Sequence, residues 1–365
     1  EYLASDDDGE TSFDVSAEYI EENGNRSPIN YVLPPGIDQE VDNTTTSLRQ
    51  QNEQSLVLKV GNLKDGDSRA TYKTSDLDLR NYKRIKMFVH AEGEKENDLK
   101  DGDLSCFLRL GTDFTANYYE YEISLKSTAH TATSRNDIWP SQNEIDIAFE
   151  IFTQAKKDRN YNSTDVSSPY IKYTSGGKVT VVGNPNLSQV KTLMIGVRNP
   201  KKKLTEDADD GLSKSGQIWV NELRLTEFDE QGGWATNSRI TTRLADFGNI
   251  TLSGNMSTVG FGSIEKKVNE RQKYNAYQYD FSSTLNLDKV FPENYGLKIP
   301  MYIGRSQSVK NPHYNPLDPD ILLTESLESL DIKVKKDSLK NIVQDYVLRK
   351  SINFTNVRKT KVQKK

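Results

Sequence analysis

Apolar and polar residues alternate along most of the chain, first in short segments and later in longer ones. Between residues 48 and 228, short apolar segments such as QSLVLKV, LSCFLRLG and KVTVVG are separated by Asp, Asn and Gly residues that favour turns. Alternation with a period of two, rich in β-branched and aromatic residues, is typical of short antiparallel strands. This region is therefore predicted to form a two-sheet antiparallel β-sandwich that resembles a jelly roll.

Residues 229–365 carry longer alternating segments, including GNITLSGNMST, YQYDFSSTLNLDK and LKIPMYIGR. A tilted strand needs about 9–11 residues to cross a bilayer, so these segments are long enough to cross one. Their connections are alternately short and long, as in an up-and-down outer-membrane barrel. Five aromatic residues lie near the predicted strand ends, where a barrel has its aromatic girdles: Tyr274, Tyr277, Tyr279, Phe291 and Tyr295. A second soluble sandwich gives the same period of two, so the pattern leaves both architectures open.

The barrel interpretation assigns the two alternating sets of side chains to different surroundings, because successive residues of a strand face opposite sides. The predicted lipid-facing residues are Leu252, Met256, Phe281, Leu285, Leu287, Ile299, Met301 and Ile303. The predicted lumen-facing residues are Thr251, Ser253, Asn255, Asp280, Ser282, Thr284 and Asn286. Four or five strands cannot close a barrel without open edges, so this interpretation requires further strands to complete the barrel.

Two other regions do not fit the alternating pattern. Residues 1–47 are acidic and turn-rich, with Pro34-Pro35-Gly36 opposing a helix, and are predicted to be an entry arm or linker. A long connection within the second region is predicted to hold a helical insertion at about 318–350, with helices over ILLTESLESL and SLKNIVQDYVLRK. The second helix has one apolar stripe, which is expected to dock on the parent fold: Leu339, Ile342, Val343, Tyr346 and Val347.

Composition excludes several classes of function. The 48 Lys and Arg residues are interspersed with 53 Asp and Glu residues, so no basic surface for nucleic acid is predicted. Cys106 is the single cysteine of the 365-residue chain, which excludes an internal disulfide and a zinc site built from cysteines. Its apolar surroundings indicate a small buried side chain. No stretch reaches the roughly 20 apolar residues of a membrane-spanning helix.

Candidate chemistry in the sequence is weak, and no enzyme, metal or cofactor is predicted. His90, His130 and His313 lie in unrelated contexts and are interpreted as bystanders. An acidic loop offers oxygen ligands for calcium but lacks the spacing of an EF-hand, so a solvated loop is favoured: Glu206, Asp207, Asp209 and Asp210. Strand carboxylates occur at Glu144, Asp146 and Glu150, without the opposed acid and base of a glycosidase.

Carbohydrate binding is the competing function for the predicted sandwich. Aromatic rings stack on pyranose sugars, although in sandwiches they more often complete the core or an interface. The candidate rings are Trp139, Trp219, Tyr118, Tyr119 and Tyr121. This alternative describes a secreted or surface protein with no membrane role.

Several long segments closely resemble the SprA (Sov) family of gliding-motility cell-surface proteins. They are NRSPINYVLPPGI, QIWVNELRLTEFDEQGGWA and YDFSSTLNLDKVFPENYGLKIPMYIGRSQS. The resemblance implies an internal section of the very large outer-membrane β-barrel translocon of the type IX secretion system, through which folded proteins reach the cell surface. It implies as partners the remainder of that barrel, secreted cargo proteins, accessory secretion subunits and outer-membrane lipid. It carries no catalytic residues, and it favours the barrel over a second sandwich.

Overall fold

The computed structural model describes residues 2–3, 10–39, 41–42, 49–50, 52–96, 98–201 and 210–361. The prediction of a mainly β protein with antiparallel sheets and few helices is confirmed, since 47% of the residues lie in strands and 15% in helices. The chain divides into two compact units, Glu1–Asp229 and Glu230–Lys365.

The first unit contains two large antiparallel sheets. The seven-stranded sheet has the spatial order β1 (Tyr2–Leu3), β6 (Ser68–Leu77), β13 (Val190–Arg198), β8 (Ser105–Gly111), β9 (Tyr118–Ser124), β12 (Lys178–Val182) and β11 (Tyr170–Tyr173). The five-stranded sheet has the order β10 (Ile145–Ala148), β7 (Tyr82–Glu92), β14 (Lys214–Phe228), β5 (Gln54–Leu63) and β2 (Ser12–Tyr19). A further pair joins β3 (Val41–Asp42) to β4 (Arg49–Gln50).

Both sheets contribute to one hydrophobic core in the first unit. Leu58 and Val89 come from the five-stranded sheet, and Cys106, Leu108 and Val197 come from the seven-stranded sheet, all within one buried cluster. Cys106 is fully buried, as its apolar segment predicts. Burial raises the pKa of its thiol to about 12. Successive side chains of a strand point to opposite faces, so each short alternating segment can place its apolar residues in this cluster while pairing in a sheet.

The Asp-Gly turns of the first unit lie between the two sheets. Gly66 and Gly102 have φ angles of +86° and +83°, which a residue with a side chain rarely adopts. The first of these turns joins β5 to β6 and the second joins β7 to β8, so each crosses from the five-stranded to the seven-stranded sheet. Neither turn therefore closes a hairpin, although Asp and Gly form the turns that the sequence predicts between short strands.

The described residues of the first unit include the helices α1 (Ile20–Asn23), α2 (Arg135–Ile138) and α3 (Phe149–Tyr161). In the segment NEIDIAFEIF only Ile145–Ala148 pairs in the sheet before α3 begins. From Phe149 onward, buried residues recur at helical spacing: Phe149, Phe152, Ala155, Lys156 and Arg159. The period of the pattern thus changes from two to about 3.6 within one apolar segment.

Part of the predicted entry arm is built into the first unit. Strand β2 pairs with β5 at the edge of the five-stranded sheet. Ile29, Tyr31 and Leu33 are buried, the first two in a cluster with Trp139 and Trp219. The described part of the arm, residues 10–39, therefore packs on the unit rather than forming a free linker.

The second unit is an antiparallel meander of five long strands. They are β15 (Ala235–Leu244), β16 (Gly248–Ser257), β17 (Tyr274–Asn286), β19 (Pro300–Pro312) and β22 (Asp345–Phe354), in that spatial order. Short pairs join β18 (Leu297–Lys298) to β23 (Arg358–Lys359) and β20 (Tyr314–Asn315) to β21 (Asp318–Leu322). Each long strand pairs with the next in a continuous register.

Two helices, α4 (Leu323–Glu328) and α5 (Lys333–Val343), occupy the connection between β19 and β22. The second helix was expected to continue to Lys350, and this is wrong because Asp345 begins β22. From Tyr346 to Phe354 the apolar residues alternate, and ten register positions pair with β19. The hydrogen-bonded pairing of β22 with β19 therefore prevails over the helical spacing of apolar residues that was predicted to include Tyr346 and Val347.

Candidate functional site

The five-stranded sheet of the second unit separates apolar from polar side chains onto its two faces. Directly paired residues of neighbouring strands point to the same side of a sheet. Ile240 pairs with Leu252, which pairs with Phe281, whereas Thr241 pairs with Thr251, which pairs with Ser282. The register thus defines an apolar face and a polar face over all five strands.

The apolar face carries large side chains on every strand. It includes Ile240, Leu244, Ile250, Leu252, Met256, Tyr277, Tyr279, Phe281, Leu285, Met301, Ile303, Val309, Tyr346, Leu348, Ile352 and Phe354. The polar face carries mainly hydroxyl and amide groups. It includes Asn237, Arg239, Thr241, Arg243, Asn249, Thr251, Ser253, Asn255, Gln278, Asp280, Ser282, Thr284, Asn286, Ser306, Ser308, Arg349, Ser351 and Asn353.

The register brings nearly all of the predicted lipid-facing and lumen-facing residues together as two sets. Six of the eight predicted lipid-facing residues share the apolar face: Leu252, Met256, Phe281, Leu285, Met301 and Ile303. All seven predicted lumen-facing residues share the polar face. The other two lie outside the five strands, where the Leu287 N–H donates to the Ile299 carbonyl at 3.0 Å. Contact of these faces with lipid or with a lumen remains a prediction.

The apolar face is uncovered in this chain. Ile240, Leu252, Ile352 and Phe354 keep 60%, 50%, 65% and 55% of their accessible surface, whereas core residues of the first unit keep almost none. Within the described residues no second layer packs on this face, as a soluble sandwich requires. A continuous apolar surface of this kind needs an apolar neighbour outside the chain.

The polar face offers hydrogen bonds and little apolar surface. Asp280 accepts a hydrogen bond from Gln278 Nε2 at 2.9 Å, and the hydroxyls of Thr241 and Thr251 lie 3.4 Å apart. Tyr302 and Val347 are its large exceptions. Such a face is readily hydrated and has few sites where a passing apolar side chain can bind.

The dimensions of the sheet match those of a membrane-spanning wall. Strand β16 has 10 residues. At about 3.4 Å per residue and a tilt of roughly 40°, it covers about 25 Å, the height of the apolar band on outer-membrane barrels. Exposed aromatic residues occur at both ends of the strands, with Trp234, Tyr274 and Tyr346 at one end and Phe291, Tyr295 and Phe354 at the other. Tyr277 and Tyr279, expected at a strand end, lie within β17 on the apolar face.

Two cations interrupt the apolar face. Arg305 of β19 pairs in register with Lys350 of β22, next to Phe281. Both side chains are exposed, and neither forms an ion pair with a described residue. The sequence patterns did not single them out, because the alternation of the neighbouring apolar residues dominates both segments. In lipid, a cation at the midplane of such a face costs roughly 2–4 kcal/mol.

The first unit holds a buried aromatic and ionic cluster around Trp219. The His90 ring stacks on Trp219 with centroids 4.0 Å apart and hydrogen-bonds the Ile138 carbonyl at 2.7 Å. Arg26 donates to Glu92 Oε1 at 2.6 Å. Burial disfavours the Glu92 carboxylate, but His90 and Arg26 outweigh it and hold the pKa of Glu92 below its usual value. His90, interpreted from sequence as a bystander, is therefore a packed member of this cluster.

The aromatic residues proposed for sugar stacking are not available to a sugar. Trp139, Trp219, Tyr119 and Tyr121 keep 2%, 0%, 0% and 5% of their accessible surface. The Trp139 indole N–H donates to the Val32 carbonyl at 2.7 Å, and the Arg109 guanidinium lies 3.9 Å from the ring centroid of Tyr118. Trp139, Trp219, Tyr119 and Tyr121 complete the core, and the half-buried Tyr118 has Arg109 over its ring, so the carbohydrate-binding alternative loses the residues on which it rested.

The strand carboxylates are held in ion pairs rather than in a catalytic arrangement. Asp146 accepts from Arg84 at 2.7 Å and pairs with Lys86 at 2.9 Å. Burial raises the pKa of Asp146, but the hydrogen bonds from these two cations lower it more, so the net shift is downward. Glu144 lies 4.0 Å from Arg224, and Glu150 lies in the first turn of α3. This arrangement stabilises β10 against β7.

Metal binding and membrane-spanning helices were sought over the described part of the chain. No group of three His, Cys, Asp or Glu residues there could hold a metal ion. Of the acidic loop considered for calcium, Glu206, Asp207 and Asp209 lie outside the described residues. No helix within the described ranges is long and apolar enough to cross a membrane.

Comparison with known proteins points to secretion. Residues 2–327 match a family model described as "Motility related/secretion protein". This is a motility and secretion family and not an enzyme family. No curated protein matches the chain.

Proposed function

Because the chain belongs to the SprA family of motility-related and secretion proteins, we propose that it forms part of the wall of an outer-membrane translocon that exports folded proteins by type IX secretion and supports gliding motility. The second unit supplies consecutive strands of a large β-barrel, and the first unit is a β-sandwich domain attached to it. The role is architectural, and the chain carries out no reaction in this proposal.

The uncovered apolar face carries the proposal. Exposed residues such as Leu252 and Ile352 need an apolar surrounding, and acyl chains of the outer membrane provide one over the full height of the strands. In this surrounding every backbone group must be paired, so the edge strands β15 and β22 pair with further strands of the same barrel. The remainder of the barrel is thus the first partner of this chain.

The polar face is proposed to line a water-filled passage. Its hydroxyl and amide groups, such as those of Ser253 and Ser282, remain hydrated and bind an unrelated folded protein weakly. Secreted cargo proteins and accessory secretion subunits are the other proposed partners, and the location is the cell outer membrane at the cell surface. Carbohydrate binding is not proposed, since four of its five aromatic candidates are buried and Arg109 lies over the ring of the fifth, Tyr118.

Site-specific photo-crosslinking in secreting cells tests this function. A photo-reactive residue in place of Ser282 on the polar face is expected to crosslink exported proteins in transit, because it faces the passage. The matched control is Phe281, the preceding residue on the apolar face, which is expected to crosslink lipid and no cargo. Cargo crosslinks at Phe281, or at neither position while export continues, would contradict the proposal.

A further inference from the structure

Helix α5 (Lys333–Val343) presents an apolar stripe and a basic face, and no residue of the helix is buried. Val334 and Ile342 keep 72% and 69% of their accessible surface, and Ile332, just before the helix, keeps 52%. Val334 and Ile342 are eight residues apart, so they lie on one side of the helix. Of the predicted stripe of this helix, Ile342 is exposed, whereas Leu339 and Val343 are half-buried.

The opposite side of α5 is positively charged. Lys333, Lys336 and Lys340 recur at spacings of three and four, which places them on one face, away from Val334 and Ile342. With Lys335 the helix has four lysines against Asp337, a net charge of 4 − 1 = +3. None of the four lysines forms an ion pair with a described residue. A short helix with this division is typical of segments that lie in the plane of a membrane surface.

The connection of α5 to the sheet fixes the position of the helix along the direction of the strands, relative to the apolar face. The Gln344 side chain, directly after the helix, donates to Asn311 Oδ1 at 2.6 Å, which ties the helix end to the end of β19. Tyr346, two residues later, is 51% exposed on the apolar face of β22. Two extended residues span about 7 Å. The helix thus ends close to the row where the apolar face begins.

We propose that α5 lies in the headgroup layer of the outer membrane, with Val334 and Ile342 toward the acyl chains and Lys333, Lys336 and Lys340 bound to anionic lipid phosphates. The inference rests on the proposed function, because the apolar face sets the membrane level. Charge complementarity selects the ligand: a lysine near an anionic lipid surface strengthens binding by about 1 kcal/mol, or about fivefold. An acidic protein surface does not explain the exposed apolar stripe, which acyl chains cover.

Lipid-borne quenching in vesicles tests the proposal on the full chain. Single cysteines replace Ile342 on the stripe, Lys340 on the basic face and Leu252 on the apolar face of the sheet, and each carries a fluorophore. Cys106 stays in place, because it is fully buried and remains unlabelled in the folded protein. The vesicles contain brominated phosphatidylcholine, either alone or mixed with phosphatidylglycerol.

The label at Ile342 is expected to be quenched in anionic vesicles and much less in neutral ones, and the label at Lys340 in neither. Lys333→Gln with Lys336→Gln weakens lipid binding of α5 on the order of 25-fold. In anionic vesicles this double variant is expected to reduce quenching at Ile342 to the level measured in neutral vesicles, while quenching at Leu252 is unchanged. Equal quenching at Ile342 in both vesicles overturns the phosphate assignment.

The reference label at Leu252 separates failure of this inference from failure of the proposed function. Quenching at Leu252 without quenching at Ile342 contradicts the position of α5 in the headgroup layer and still supports a lipid-facing sheet. Absence of quenching at both positions overturns the proposed function and the inference together. Quenching at Ile342 alone supports a membrane-bound α5 but contradicts the lipid-facing sheet.

Discussion

Glu92 keeps its charge inside the first unit because Arg26 reaches it from the N-terminal segment. A carboxylate whose pKa is lowered by folding stabilises the fold at pH values above its pKa in the unfolded chain, about 4.3. This contribution is lost as the pH falls through the pKa of Glu92 in the folded protein. Arg26 also donates to the Ile29 carbonyl at 3.1 Å. The ion pair therefore joins the segment 10–39 to the core of the unit.

Replacing Arg26 with Met is expected to lower the free energy of unfolding of the first unit by up to about 3–5 kcal/mol at neutral pH, because it leaves the buried Glu92 carboxylate with His90 as its remaining partner. It also raises the pKa of Glu92, so acid unfolding begins at a higher pH. Urea unfolding followed by tryptophan fluorescence at several pH values measures both effects. Lys59→Met is the control, since its 3.4 Å pair with Glu94 is half exposed and contributes less than about 1 kcal/mol. Equal losses in the two variants would count against the role of Arg26.

Arg305 and Lys350 are the residues of the apolar face that fit lipid least well. If this face meets acyl chains, Lys350→Leu is expected to stabilise the chain in vesicles by up to roughly 2–4 kcal/mol, and by less if the residue lies near a headgroup layer. Its neighbour Arg349 lies on the polar face and is the matched control, since Arg349→Leu removes no such cost. Urea unfolding from phosphatidylcholine vesicles measures the difference. Destabilisation by Lys350→Leu would mean that an anionic group outside the described residues pairs with this lysine.

Single residues show how far sequence reasoning reaches. Burial of Cys106 follows from the apolar residues around it, and the faces of Thr251 and Leu252 follow from alternation alone. The places of His90 and Arg26 depend on contacts between residues far apart in sequence, such as the Arg26 pair with Glu92, which no local pattern carries. Arg305 and Lys350 become a pair only once the register of β19 and β22 is known.

At the scale of elements, α3 shows how a helix can be missed in the sequence when it directly follows a strand. The apolar residues of β10 continue without a break into Phe149 and Phe152, and the change of period is visible only after Ala155 and Arg159 are included. In β22 a strand was mistaken for a helix, because the apolar spacing of α5 continues across Gln344 into the alternating residues of the strand. Strand and helix compete within short apolar segments, and long-range pairing decides between them.

Phe152→Ala tests whether α3 is part of the core. Phe152 is fully buried, and its ring lies 5.4 Å from that of Tyr119. Removing it is expected to lower the free energy of unfolding by about 3–5 kcal/mol, because the lost contacts leave a cavity. Tyr161→Ala, in the last turn of the same helix, is the control, since Tyr161 is 80% exposed and is expected to change stability by less than about 0.5 kcal/mol. Similar effects of the two substitutions would place α3 outside the core.

Three long strands of the second unit, β16, β17 and β19, are the elements that sequence predicts best. Their alternation extends over ten or more residues, so the period is well defined in β16, β17 and β19. What lies beside each face is not contained in the period, because a sandwich and a barrel alternate alike. The exposure of Ile240 and Leu252 is a property of the assembled sheet, which the period does not contain.

At the scale of the whole molecule, the two units bury apolar surface in different ways. The first unit has a core shared by two sheets, whereas the large side chains on the apolar face of the second unit's sheet are exposed or half-buried. Residues 1–229 alone are therefore expected to remain soluble without detergent and to unfold cooperatively, while residues 230–365 alone are expected to need detergent or lipid. Ultracentrifugation and thermal unfolding of the two pieces measure this. A soluble, monomeric second piece would contradict the account of its apolar face.

Family membership and the sheet contribute different parts of the proposal. The family connects the chain to motility and secretion, and the register of the sheet assigns the side chains to an apolar and a polar face. A period-two pattern without the family supports a membrane strand no better than a soluble one. The family without the register does not say which residues of β16 would touch cargo.

A residue-by-residue spin-label scan of β16 in a lipid bilayer tests the central claim most directly. Labels at Ile250 and Leu252 are predicted to relax with oxygen, which concentrates among acyl chains, and labels at Thr251, Ser253 and Asn255 with a water-soluble nickel complex. The two accessibilities should alternate with a period of two and in opposite phase. Access of the water-soluble reagent to both sets, or the exclusion of both reagents from Ile250 and Leu252, would contradict a wall between lipid and a water-filled passage.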